Sequence, residues 1–215
     1  MRDKDVSFFE AFHVVSLLGG DLCEQSRISK ICHAKGLKIY VSENCGFLSQ
    51  IHADLNNHEF VEVADGGTVK SKAPKKMTCA SFSDVIDSMQ WGAVHKSMRW
   101  GIPPATLSMF VWKRFVQERG NAAPSSDAAV VKDLDMFTSK CLASRGIDDD
   151  SLVLEIGAMA RRALATSDVD LAPVCAVIGG VLAQDIVKVV SQHNEPIDTV
   201  FTFDGMTGEG RVTKI

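Results

Sequence analysis

Two apolar runs flank an amphipathic stretch within residues 12–41, and this arrangement restricts the fold more than any other part of the chain. FHVVSLL (12–18) is short and almost continuously apolar, as a strand buried on both faces should be. DLCEQSRISKICHAKG (21–36) sets Leu22, Ile28, Ile31 and Cys32 at broadly helical spacing, with Gly36 as a stop. LKIYV (37–41) is the next strand. A strand, a helix and a strand this close together require a right-handed crossover and parallel pairing. FLSQIHADL (47–55) and HEFVEV (58–63) read as further strands, with a turn at Asn56-Asn57 between them.

The pattern then changes. Residues 64–78, ADGGTVKSKAPKKMT, keep no apolar period and read as a flexible loop or linker. Its Lys70, Lys72, Lys75 and Lys76 are solvated loop residues, a contact for an acidic partner, or a weak nuclear address. Three helices follow. Residues 103–120 open on prolines and close on glycine, with Leu107, Phe110, Val111 and Phe115 on one face. Residues 125–146 open on the capping candidates Ser125, Ser126 and Asp127 and carry Val130, Val131, Leu134, Phe137 and Leu142 as a stripe. Residues 148–165 are the third. The end returns to sheet: TVFTF (199–203), a turn-rich DGMTGEG and RVTKI form a hairpin.

The segment APVCAVIGGVLAQDIVKVV (172–190) is apolar around almost its whole circumference until Gln184, Asp185 and Lys188. Pro173 suits a first helical turn. A helix over 173–191 would be about 28 Å long. Gly179 and Gly180 each weaken it by ~1 kcal/mol relative to alanine, a pure loss unless another backbone comes close. The pattern predicts that the first three turns are surrounded by protein, either the chain's own sheet or a second subunit.

With 215 residues, 46% of them apolar, the chain can bury roughly 70% of its surface on folding. A net charge of -4 does not suggest a nucleic-acid partner. No run of about 18 uninterrupted apolar residues marks a membrane span, and MRDKDVSFFEAF lacks the apolar core of a secretory signal. Cys23, Cys32, Cys45, Cys79, Cys141 and Cys175 are scattered without zinc-ligand pairing and read as reduced thiols of a cytosolic or nuclear protein.

APVCAVIGGVLAQDIVKVVSQ followed by FTFDGMTGEG resembles the C-terminal end of the small subunits of heterodimeric SUMO-activating enzymes. The likeness extends more weakly through FHVVSLL, ICHAKGLKIYVSENCGF, ADLNNHEFVEV and PSSD (124–127). ThiF- and MoeB-type adenylating enzymes, and the activating enzymes of other ubiquitin-like modifiers, share the fold and part of the helix motif. The resemblance implies an α/β chain: the C-terminal part of a ThiF-like, Rossmann-type adenylation fold, with a mostly parallel sheet and a helical insertion. Its divisions would be residues 1–63 as a partial α/β unit, 64–78 as linker, 79–170 as the insertion and 171–215 as the closing helix and hairpin. In that family the heterodimer uses Mg-ATP to adenylate SUMO and passes it to a cysteine, and the large subunit holds both the nucleotide and that cysteine. This chain would bind no cofactor itself, contact the large catalytic subunit directly and SUMO indirectly, act in the nucleus and also in the cytoplasm, and be inactive alone. Its expected contact residues are Pro173, Gly179, Gly180, Gln184, Phe203, Asp204, Gly205 and Met206. Family members carry further βαβ units ahead of the matching region, so the resemblance also implies an open sheet edge at residues 13–18.

The residues agree with a non-catalytic half. No G-x-G-x-x-G occurs, and the doublets Gly19-Gly20, Gly66-Gly67 and Gly179-Gly180 are isolated. Asp21 falls near the magnesium aspartate of catalytic halves, yet reads better as a helix cap. Cys45, Cys79 and Cys175 read as packing residues rather than nucleophiles, with His33, His52 and His58 near Cys45 in sequence only. Arg161-Arg162 reads as a solvated helix face, Asp204 as a turn cap, and Trp91, Trp100 and Trp112 as packing. Three other readings stay open: a catalytically competent ThiF-type adenylating enzyme, a subunit of the related activating enzyme for NEDD8 or ubiquitin, and a free-standing interaction protein descended from the same fold.

Overall fold

The computed structural model describes residues 4–63, 73–120 and 126–215. A short helix α1 (Val6–Phe9) precedes β1 (Val14–Leu18), α2 (Leu22–Ala34) and β2 (Lys38–Cys45), and β1 pairs parallel to β2 with Val15 opposite Ile39. Asp21 caps α2, its carboxylate accepting from the Glu24 N–H at 2.8 Å, and Gly36 closes the helix at φ +68°. The left-handed turn there is a conformation glycine adopts without strain.

The rest of the sheet departs from the expected parallel order. β2 runs on to Cys45 and turns back through Gly46-Phe47 into β3 (Leu48–Asp54), with Cys45 opposite Leu48. Gly46 has φ +59°, the requirement at the first central residue of a tight hairpin turn. Beyond β3 lie β6 (Thr199–Asp204) and β7 (Glu209–Thr213), so the order is β1-β2-β3-β6-β7 and every pairing except β1–β2 is antiparallel. The sheet is mixed, not mostly parallel, because β3 is reached by a hairpin and its far edge is filled by a strand about 150 residues later.

That filled edge also overturns the hairpin expected at Asn56-Asn57. With both edges of β3 occupied, the chain leaves the sheet at Asn56 (φ +52°), whose side-chain amide donates to the Leu37 carbonyl at 3.0 Å. Strand β4 (Asn57–Phe60) instead pairs with β5 (Lys75–Thr78) in a separate two-stranded sheet, so the last residues of the expected loop are strand. Lys70 and Lys72, with 64–72 as a whole, lie outside the described residues, as does Ser125.

Helices α3 (Trp91–Ser97), α4 (Pro104–Glu118), α5 (Ala128–Ser144) and α6 (Asp150–Ala165) follow a π-helical turn at Asp84–Ser88. Asp127 and Asp149 cap α5 and α6 through their carboxylates. Leu107, Phe110 and Val111 of α4 are fully buried with Val15, Ile39 and Ile28 in one core beneath the sheet. A second core lies on the opposite face, where Tyr40, Ile51 and Ala53 meet Ile178, Leu182 and Val189 of the last helix, α7 (Ala172–Ser191).

Candidate functional site

α7 buries one stripe only. Val174, Ile178, Leu182, Asp185 and Val189, three or four residues apart, face the sheet. Asp185, a charged residue of this segment, is only 2% exposed. Its carboxylate accepts from the Tyr40 hydroxyl at 2.8 Å and from the Ile197 N–H at 2.9 Å, with Lys188 Nζ 3.6 Å away. Burial raises the Asp185 pKa while these donors pull it back, and burial likewise drives the Tyr40 hydroxyl upward.

The opposite face is apolar and uncovered. Val177, Val187 and Val190 are 40%, 65% and 66% exposed. Pro173, Gly179, Gly180 and Gln184 are exposed as well, so the first turns are not surrounded by this chain. A Cβ placed on Gly179 or Gly180 would meet nothing within 4 Å apart from the helix's own backbone, among the described residues. The glycines therefore admit no neighbour from within this fold; they leave a flat, open strip. α7 is also long and apolar enough to cross a membrane, at a mean hydropathy of 1.8. Its inner stripe, packed on the sheet with a hydrogen-bonded carboxylate in it, favours a protein neighbour over lipid.

The β6–β7 turn meets the start of this helix. The Gly205 N–H donates to the Phe47 carbonyl at 2.8 Å, and a Cβ on Gly205 would stand 2.8 Å from Val174 Cγ2. That contact explains the glycine: the turn and α7 approach too closely for a side chain. Asp204 is buried and caps the turn by accepting from the Met206 N–H at 2.8 Å, with Arg162 Nη2 3.9 Å away. Phe203 packs against the α7-side core, whereas Met206 projects into solvent. Of the eight expected contact residues, Pro173, Gly179, Gly180, Gln184 and Met206 are thus exposed, and Phe203, Asp204 and Gly205 hold the turn in place.

Beside the open strip runs a cleft of about 480 Å³, at the C-terminal ends of the parallel strands β1 and β2. Leu18, 74% exposed, forms one wall, and Ile178, Gly179 and Leu182 of α7 form the other. Its charged lining is Glu43 and Asp170, with no lysine or arginine among the described residues. Glu43 is paired from beneath by the buried Lys113 at 2.9 Å, which sits 5.1 Å from the Phe82 ring. Gln25 donates to the Gly19 and Gly20 carbonyls at 3.1 and 3.2 Å, and Asp21 spends its carboxylate on the α2 cap. A phosphate cradle needs converging N–H groups and positive charge; this rim is acidic and its helix start is already capped. Cys175 lines the cleft, its sulfur accepting from Asn44 Nδ2 at 3.4 Å, so it is more than buried packing. The outer edge of β1 has no partner strand among the described residues.

The other candidates resolve as structural. Cys45 is buried and its thiol is driven upward by burial, and burial pushes Cys79 up to about 11. His33 Nδ1 meets Asp54 at 2.8 Å, His52 Nε2 meets the Ala80 carbonyl at 3.2 Å, and His58 stacks on Phe60. Among the described residues no three His, Cys, Asp or Glu side chains gather as a metal site. Trp91 and Trp112 are buried, but Trp100 is exposed. Missed in the sequence were Leu18, Val187 and Val190. The available signal was arithmetic: one sheet face can cover only one stripe of an all-apolar helix.

No family model matches the chain. It is 29% identical over 233 residues to SUMO-activating enzyme subunit 1 of Xenopus laevis, covering 99% of this chain and 66% of that protein. Against the Homo sapiens protein of the same name the identity is 28% over 238 residues, covering 99% and 65%. Against SUMO-activating enzyme subunit 1B-1 of Arabidopsis thaliana it is 24% over 207 residues, covering 95% and 61%. The chain therefore spans just under two thirds of the length of these relatives.

Proposed function

We propose that this chain is the small, non-catalytic subunit of a SUMO-activating enzyme and that it works by holding a large catalytic subunit. The observation that carries this is the outer strip of α7: three exposed valines and two glycines with open space above them, on a helix whose inner face is already seated. Covering what remains exposed of each valine, 40–66% of it, contributes on the order of 1 kcal/mol, a fraction of the value for full burial. Large exposed apolar surfaces mark docking sites, and the named relatives are subunits. The uncovered edge of β1 and the exposed Met206 extend the docking surface. On this reading Mg-ATP is held by the partner, SUMO is reached through it, and the complex works in the nucleus and also in the cytoplasm. The acidic cleft supports the assignment of nucleotide binding elsewhere.

The test is co-expression with a SUMO-activating large subunit, followed by size-exclusion chromatography. Gly180→Leu should fold normally, since its side chain meets open space and helix propensity improves by ~1 kcal/mol, yet it should lose co-elution. Val187→Glu should do the same. Co-elution unchanged in both variants would refute the docking surface. ATP–pyrophosphate exchange by the isolated chain would instead support a ThiF-type adenylating enzyme. A chain that never co-elutes with a large subunit would be a free-standing interaction protein.

A further inference from the structure

We infer that the pocket between α4 and the last turn of α5 binds a phosphate-sized oxyanion. The pocket has a volume of about 160 Å³ and is lined by Arg114, Lys140 and Arg145, against one carboxylate, Glu118, with Phe137, Cys141 and Ser144 completing the wall. Sites for whole organic ligands run to ~300–1,000 Å³, so this one suits a single compact group.

The two guanidiniums are held rigidly. Arg145 donates from Nη1 to the Met89 carbonyl at 2.7 Å and from Nη2 to the Ile86 and Asp87 carbonyls at 3.0 and 2.8 Å, and it lies 4.9 Å over the Trp91 ring. Arg114 donates from Nη1 to the same Ile86 carbonyl at 3.1 Å. These bonds use part of each fork and aim it at the end of the π-helical turn. Arg114 Nη2 and Lys140 Nζ have no partner among the described residues. Asp87, the carboxylate nearest Arg114 at 3.4 Å, is shared with Lys30 at 3.9 Å. The carbonyls ending α5 offset part of this positive charge, though a helix terminus carries only about half a charge. Arg145 also feels its neighbour: burial and then Arg114 lower its pKa. Arg114, Lys140 and Arg145 line one small pocket, with Glu118 and Asp87 as its nearby carboxylates, and a charge-assisted oxyanion contact draws on cations so grouped. The site shares no residue with the α7 strip, so it stands or falls independently of the partner subunit.

The experiment is calorimetric titration of the purified chain with inorganic phosphate and, separately, with phosphoserine, at constant ionic strength. Saturable binding is expected. Lys140→Gln, an exposed change that disturbs no contact of the fold, should weaken it roughly tenfold or more, the weight of one charge-assisted contact. Glu118→Gln should strengthen it. Phosphoserine binding as tightly as phosphate would identify an esterified group as the ligand, and preference for inorganic phosphate a free anion. No saturable binding up to about 10 mM, weaker than the millimolar affinity a single such group can reach, would overturn the inference. So would an unchanged affinity in Lys140→Gln.

Discussion

Asp185→Ala tests how α7 is seated. The carboxylate is the acceptor for two buried donors, the Tyr40 hydroxyl at 2.8 Å and the Ile197 N–H at 2.9 Å. Each donor left without an acceptor costs ~1–3 kcal/mol. Removing the carboxylate also relieves the desolvation that raises its pKa, which returns part of that loss. The net expectation is about 2–4 kcal/mol of lost stability, or roughly 4–16 °C in Tm at the 2–4 °C per kcal/mol usual for this chain length. Tyr40→Phe alone should cost about 1 kcal/mol, since Asp185 keeps the Ile197 N–H and Lys188. In the Asp185→Ala background Tyr40→Phe should be neutral or stabilising, because it deletes an orphaned hydroxyl. Thermal and urea unfolding followed by circular dichroism measure all three. If Asp185→Ala unfolds within about 0.5 kcal/mol of the parent, or the two changes simply add, the buried carboxylate is not what fastens the helix to the sheet.

Two further outcomes follow from the packing. Gly205→Ala should destabilise the chain by about 1–3 kcal/mol, because its Cβ would stand 2.8 Å from Val174 Cγ2 and 3.3 Å from the Phe47 carbonyl oxygen; urea midpoints at equal m-value read this out, and a neutral result would mean the turn and α7 separate readily. Burial, reinforced by Lys38, lowers His58 to about 4, and burial lowers His52 to about 3, against 6.5 when unperturbed. The unfolded chain then binds more protons than the folded one, so stability is full above pH ~6.5 and falls as pH drops toward 4 and 3, at ~1.4 kcal/mol per unit per group. His58→Phe should flatten the upper part of that fall, and equal slopes in parent and variant would show that His58 is not buried neutral.

The local elements were readable because each is written in adjacent residues. β1, α2 and β2 follow from their apolar periods and from Asp21 and Gly36, and the β6–β7 hairpin from its turn chemistry. The stripe of α4 was likewise visible in Leu107, Phe110 and Val111. The polar end of β2, Ser42 to Asn44, hid the strand's true length and with it the turn at Gly46. The candidate surface was half legible: the glycines and Pro173 stood out, while Leu18 and the outer valines did not, because an apolar residue in sequence looks the same whether covered or bare.

What the sequence alone determined is therefore short-range: which segments are helix or strand, where they are capped, and that no glycine-rich phosphate loop is present. What only the tertiary structure decided is long-range. Pairing β3 with β6, Leu48 opposite Asp204, filled the free edge of β3 and expelled β4 from the sheet that the β2–β3 hairpin had made mixed. Docking α7 on that sheet chose which stripe is buried, placed Asp185 under Tyr40, and left Gly179 and Gly180 facing open space. Neither decision is written in local periodicity, because a strand's partners and a helix's covered face are settled by whichever surfaces remain once the rest of the chain has packed.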